Sequence, residues 1–151
     1  MSQKTISSDY TNGLVYELQK AFWDERGRGA RFRMTTIGRT FYTEIFKSKI
    51  IARDVDGILS TIADLLQQEG IAAKVSYKVE EKLFRIQVQG CLHRPVEEQM
   101  KAHGIEPFTC IPANMIVLAV KEKLDRVVEI AEIKFEDGVC NILLIVFDKR
   151  T

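Results

Sequence analysis

Residues 126–147, RVVEIAEIKFEDGVCNILLIVF, decide the fold. Asp137-Gly138 is a two-residue turn signal between two runs rich in β-branched and aromatic residues, so the spacing predicts a β-hairpin of Arg126–Phe135 and Val139–Phe147. The second run, Ile142 to Phe147, is apolar at every position, which predicts a strand covered on both faces. The first run carries a phase error. Val128 and Ile130 share one parity, whereas Ile133 and Phe135 share the other. One extra residue near Ala131-Glu132 reconciles them, so a β-bulge is expected there, and a bulge re-aims the side chain beside it.

Upstream, the same period of two recurs. Ile71, Ala73, Val75, Tyr77 and Val79 alternate with Lys74, Ser76, Lys78 and Glu80; after a turn at Glu80-Glu81-Lys82, Phe84, Ile86 and Val88 alternate with Arg85, Gln87 and Gln89. This predicts a second hairpin with one buried face.

The remaining segments read as helices. Leu14, Leu18 and Phe22 recur every four residues from Asp9 onward, up to the breakers Gly27 and Gly29. A second helix is expected from Ala30 to Lys47, with Ile37, Phe41 and Ile45 on one stripe and Met34 a turn earlier. In a third, Asp54 caps the run Val55, Ile58, Ile62, Leu65, Leu66, and Gly70 ends it. Between the hairpins, Pro95–Ala102 reads as a short helix, and Thr109 is placed to cap a helix apolar on every side from Ile111 to Val120. The expected fold class is therefore α+β, with N-terminal helices packed on a four-stranded antiparallel sheet made of two hairpins separated by a helical segment. Residues 9–151 form one domain after a frayed segment 1–8, a size able to bury a real core.

Composition narrows the function classes. A net charge of +1 argues against nucleic acid, and the run Arg26, Arg28, Arg31, Arg33 reads as a solvated face diluted by Asp24 and Glu25. Met1–Thr5 has no apolar signal-peptide core, and the longest apolar helical run is about half the ~20 residues that a membrane span needs, so the expectation is cytoplasmic with no membrane span. There is no phosphate loop, nucleophile elbow, zinc-protease motif or dinucleotide fingerprint, which favours a binding module over an enzyme.

Three cysteines, Cys91, Cys110 and Cys140, fall at the ends of elements, where loops can bring them together. A soft divalent metal takes thiolate, imidazole or carboxylate ligands, and His93, Glu132 or Glu129 could supply the fourth. Unpaired N–H groups at a helix start would stabilise a Cys110 thiolate. Without a C-x-x-C pair, the competing reading is three small buried hydrophobes. A ligand pocket could be lined by Phe32, Phe41, Phe46, Phe84, Met115 and Leu118; the alternative is an ordinary core.

The stretch FRIQVQGCLHRPVEEQMKAHGIEPFTCIPANMIVLAVKEKLDRVVEIAEIKFEDGVC, residues 84–140, resembles the 4-vinyl reductase-like (hydrocarbon-binding) domains and the related methanogen output domain. The resemblance rests on a Cys after a strand, a Cys opening a helix some twenty residues on, and a Cys just after a hairpin turn. It implies a fold shared with haem-nitric-oxide-binding domains and Golgi transport-complex subunits, and a homodimeric regulatory sensor of a hydrophobic small molecule or tetrapyrrole, acting through a partner protein. It also implies zinc or an iron–sulfur cluster at the cysteine-rich end. In zinc-binding aromatic sensors a further Cys stands eight residues before the last one; Glu132 stands there here. Two alternatives follow from the same resemblance: an enzyme or assembly factor of tetrapyrrole metabolism, and a structural interaction subunit whose pocket is filled by its own side chains.

Overall fold

A computed structural model describes residues 5–29, 37–105 and 109–148. In chain order the elements are α1 (Ser8–Arg26), a helical segment α2 over 39–49, α3 (Val55–Gln68), β1 (Lys74–Glu80), β2 (Leu83–Gln89), α4 (Arg94–Ala102), α5 (Ile111–Leu124), β3 (Val128–Glu136) and β4 (Val139–Val146). The two hairpins join through their inner strands, so the sheet order is β1-β2-β4-β3 and every neighbouring pair is antiparallel. This is the expected α+β architecture. Asp137 and Gly138 both take positive φ, as a two-residue hairpin of the mirror-image type requires.

The bulge is where the pattern placed it. The β3–β4 register shifts between Ile130 and Glu132, so Val128, Ile130, Ile133 and Phe135 all point to the helix-covered face while Glu132 points to the other. That covered face also receives Val75, Phe84, Ile86, Val88, Cys140, Ile142, Leu144 and Val146. Over it lie α2, α3 and α5 in one apolar cluster. Asp54 accepts from the Gly57 N–H at 3.0 Å and caps α3. Helix α1 packs instead on α4, in a satellite cluster of Tyr16, Val96, Met100 and Ile105.

Five expectations are corrected. In α1 the expected stripe does not hold, because Leu14 and Leu18 are exposed and Tyr16, with Val15, Phe22 and Trp23, makes the contact to α4 instead. β4 is not covered twice: Cys140, Ile142, Leu144 and Val146 are buried, whereas Val139, Asn141, Leu143 and Ile145 are half-buried on an open outer face. β1 begins at Lys74, and Ala72 rather than Ala73 is buried, because the chain between Gly70 and the strand docks through Ile71 and Ala72 backbone bonds to Leu66. Cys110, not Thr109, is the N-cap of α5, and it makes no side-chain capping bond. The second helix begins at Arg39 with Gly38 as its N-cap, whereas the expected start at Ala30 lies outside the described residues, and it contains a π turn, Tyr42–Phe46. A π turn widens the helix, so the inward stripe is Tyr42, Phe46 and Ile50, one residue on from the expected Phe41 and Ile45, which stay half-buried.

The end of β2 is the tightest point. Gly90 has φ 60°, and a Cβ there would lie 2.6 Å from the Ala73 Cβ. Gly90→Ala should cost about 2–4 kcal/mol, the sum of left-handed strain and overlap. Adding Ala73→Gly should recover the overlap part. Urea unfolding checks both, and a loss below about 0.5 kcal/mol, the size of an ordinary surface change, would contradict the assignment.

Candidate functional site

The chain ends of three elements meet over the covered side of the sheet. Cys91 follows β2 through Gly90, Cys110 opens α5, and Cys140 faces inward from β4 between Val88 and Phe135. All three are free and buried. Cys110 and Cys140 lie close enough for the Cys140 thiol to dominate the Cys110 environment. The Cys91 sulfur accepts from the His93 backbone N–H at 3.4 Å.

Two further groups belong to this neighbourhood. Glu97, in the first turn of α4, is 8% exposed, and its Oε2 has no hydrogen-bond partner. It acts electrostatically on both Cys91 and Cys110. The His93 Nδ1 is likewise buried without a partner.

Every resolved shift here pushes toward the neutral form. Burial raises the Cys91 thiol to about 12, against the opposing pull of the His93 N–H. The Cys140 thiol raises Cys110 well above an ordinary thiol, with burial next, and the backbone N–H of Ala113 at the helix start only partly offsets them. The expected Cys110 thiolate is therefore not what the site holds: the helix-terminus effect is outweighed by loss of water and by a neighbour that favours S–H. Burial alone raises Glu97 to about 7 and lowers His93. At neutral pH, Cys91 and Cys110 are unactivated thiols, poor nucleophiles and poor metal ligands until they lose their protons.

The remaining residues singled out from the sequence are dispersed. Glu132 lies on the opposite face of the sheet from the cysteines, paired with Lys134 at 3.3 Å. Among the described residues, no three His, Cys, Asp or Glu side chains converge closely enough to hold a metal ion. The donor set thus does not fit zinc or an iron–sulfur cluster as it stands. Of the pocket residues, Phe46, Phe84 and Met115 are fully buried in the main apolar cluster, with Phe41 and Leu118 half-buried against it; Phe32 lies outside the described residues. Phe41 and Phe46 meet edge to face at 5.2 Å.

One polar atom stands out inside that cluster. Tyr42 is 1% exposed, yet its hydroxyl has no hydrogen-bond partner, and burial raises it to about 12 with the Glu122 charge adding to the shift. A buried hydroxyl normally finds a partner, because leaving one unmade costs about 1–3 kcal/mol. Sequence reading missed Tyr42 because the π turn, invisible in the pattern, rotates it inward. It missed Glu97 because an acid in a helix's first turn ordinarily faces solvent, although Val96 and Met100 on the same short helix marked the buried side.

Two open hollows are present as well. One, of about 410 Å³, lies on the outer face of the sheet among Lys78, Arg85, Gln87, Lys134 and Asn141. The other, of about 520 Å³, lies among Lys47, Ile50, Arg53, Glu122 and Lys123. Neither is lined by Phe41, Phe46, Phe84, Met115 or Leu118.

Comparison with known proteins adds a family and a fold. Residues 11–149 match the family described as “Putative rubredoxin C-terminal domain”. No curated protein sequence matches. Among solved structures, the chain is similar to the phenol-responsive sensory domain of the transcription activator PoxR, crystallised with phenol, at TM-score 0.62 and 16% identity over 97% of this chain and 77% of that one. It also aligns with an H-NOX-family structure from a study of haem distortion (TM-score 0.48, 16% identity, 100% and 77% covered). A third match is an oxygen-binding H-NOX domain related to soluble guanylate cyclases (0.47, 14%, 99% and 76%). At these identities the likeness concerns the fold, and the PoxR domain carries it. No helix among the described residues is long and apolar enough to cross a membrane.

Glu97 gives the site a measurable signature. Its folded pKa is raised, so the folded state holds the proton more tightly than the unfolded chain. Stability should then fall as pH rises from about 4.5 to about 7 and stay lower above that, by something on the order of 3 kcal/mol. Glu97→Gln should flatten this slope in urea unfolding series at pH 5 and pH 8. A slope unchanged by the substitution would remove Glu97 from the account.

Proposed function

Because the chain belongs to the “Putative rubredoxin C-terminal domain” family, we propose that it is a regulatory domain that binds a small, largely apolar molecule carrying one polar group, and that it signals through protein contacts. The observation that carries this reading is the Tyr42 hydroxyl: a hydrogen-bonding group held without a partner in a π turn, within the apolar cluster that joins α2, α5 and the sheet. π turns interrupt a helix at a cost and occur frequently at functional sites. An apolar site with one placed polar group is the ordinary design for orienting a small ligand. The PoxR sensory domain, with phenol bound, shares the fold. The family's description mentions a rubredoxin, which supports an iron–thiolate electron carrier as the protein partner in this reading.

A second reading has its own support. Phe46, Phe84 and Met115 pack as a closed core, as they would in an interaction subunit whose pocket is filled by its own side chains. A ligand would then enter only by movement of α2 away from α5 at the π turn.

Tyr42→Phe separates the two readings. Removing an unpaired buried hydroxyl should leave the ligand-free protein as stable or more stable, by up to about 1 kcal/mol. In the sensing reading, phenol and p-cresol should raise the melting temperature of the unmodified protein, and the substitution should weaken that binding about tenfold, the loss of one hydrogen bond. In the filled-pocket reading neither phenol shifts the melting temperature of either protein.

A further inference from the structure

The ends of α2 and α5 enclose the second hollow, of about 520 Å³, and its walls carry more than a solvated surface needs. One wall residue is Ile50, the last of the inward stripe that begins with Tyr42 and Phe46. Ile50 is buried with them in the main cluster, so the hollow abuts the Tyr42 site. Across the seam, Lys47 of α2 pairs with Glu122 of α5 at 3.3 Å, among the described residues the one ion pair that joins these two helices. Both side chains are partly exposed, so the pair is weak and exchanges partners readily. Glu122 is also the charge that the Tyr42 hydroxyl feels. Two more cations, Arg53 and Lys123, wall the hollow without an ion-pair partner among the described residues. Lys123 lies in the last turn of α5, where the helix dipole favours a cation. Arg53 has no such reason, because it precedes Asp54, the N-cap of α3, at the end of a helix where a cation is disfavoured. Ile51, another wall residue, is 87% exposed. Uncompensated positive charge thus borders uncovered apolar surface, at the seam through which a ligand would enter.

We propose that this hollow is the mouth of the Tyr42 site and a binding site for an anionic tail, so that the ligand is an aromatic acid: its ring enters the α2–α5 cluster and its carboxylate stays in the hollow among Lys47, Arg53 and Lys123. The proposal rests on the sensing reading and adds the ligand's charge to it. The incoming carboxylate takes Lys47 from Glu122, one acid replacing another, and the tie between α2 and α5 opens as the ligand binds. That exchange gives the two helices a ligand-dependent spacing that a partner protein can read. The span is suitable. Lys47 follows Tyr42 by five residues, about 7–8 Å along the axis at ~1.5 Å per residue, which is comparable to the reach of a phenol carrying two methylenes and a carboxylate. Three cations against one acid also discriminate: an aromatic amine would meet like charge at the mouth. The hollow on the outer face of the sheet offers no equivalent. Its cations Lys78, Arg85 and Lys134 already pair with Glu80 or Glu132, and the sheet separates it from Tyr42.

The test compares p-cresol with para-hydroxyphenylpropanoate, the same phenol carrying the acid tail, by titration followed at the Met115 methyl, with circular dichroism to confirm that each variant is folded. The acid should bind about tenfold more tightly than p-cresol, the worth of one or two screened charge contacts, and raised salt should erase the advantage. Arg53→Gln/Lys123→Gln should bring the acid down to the level of p-cresol. Glu122→Gln, which frees Lys47, should tighten the acid by about threefold, the release of one weak ion pair. An acid that binds no better than p-cresol, that keeps its advantage in Arg53→Gln/Lys123→Gln, or that binds Glu122→Gln more weakly would overturn the proposal while p-cresol binding keeps the sensing reading in place. If neither compound moves the Met115 methyl, the sensing reading itself fails and the proposal goes with it.

Discussion

A helix that is apolar on every side can persist in water only if something encloses it. Helix α5 is that helix: Ala113, Met115, Ile116, Val117, Ala119 and Val120 are all buried, on faces that point in different directions. The sheet takes one side, α3 and α2 take the others, and the rest of the architecture follows from this enclosure. The Asn114 side chain donates to the Ile37 carbonyl at 3.1 Å, which ties the segment before α2 to α5. The N-cap of α5 brings Cys110 to Cys140 and so fixes the thiol neighbourhood over the end of the sheet.

That enclosure explains the chemistry of the candidate site. Thiols at a helix start and beside a strand would be reactive near water, yet here they are dry. Each charged form loses hydration, and at Cys110 the neighbouring Cys140 adds to it, so Cys91 and Cys110 stay protonated and Glu97 titrates near neutrality. The reactivity suggested by position in the chain is cancelled by burial. The same dryness makes the Tyr42 hydroxyl informative. In a wet crevice an unpaired hydroxyl would bind solvent; in an apolar core it is a cost that a bound molecule can relieve.

Much of the fold was legible in the sequence because its signals are short-range. Asp137-Gly138 dictates a turn, the change of parity between Ile130 and Ile133 dictates a bulge, and Asp54 with Gly70 bounds α3. What stayed hidden depends on helix geometry and on three-dimensional neighbours. One π turn moves the buried stripe from Phe41 and Ile45 to Tyr42 and Phe46. The bulge itself, correctly placed, sends Glu132 away from the cysteines, and no local pattern says which face will hold them. The half-cover of β4 was illegible for a different reason: an unbroken apolar run gives no parity, so it does not say that only Cys140, Ile142, Leu144 and Val146 are buried while Val139, Leu143 and Ile145 stay half-buried.

The account stands on a small molecule reaching the Tyr42 hydroxyl within the α2–α5 cluster. The direct measurement is a phenol titration of protein carrying ¹³C-labelled methionine methyls, followed by NMR. The account predicts a saturable shift of the Met115 methyl, lost or weakened in Tyr42→Phe, with Met100 in the satellite cluster under α1 unmoved. A Met115 signal that does not respond to phenol, or that drifts without saturating together with Met100, would contradict it and leave the core as packing alone.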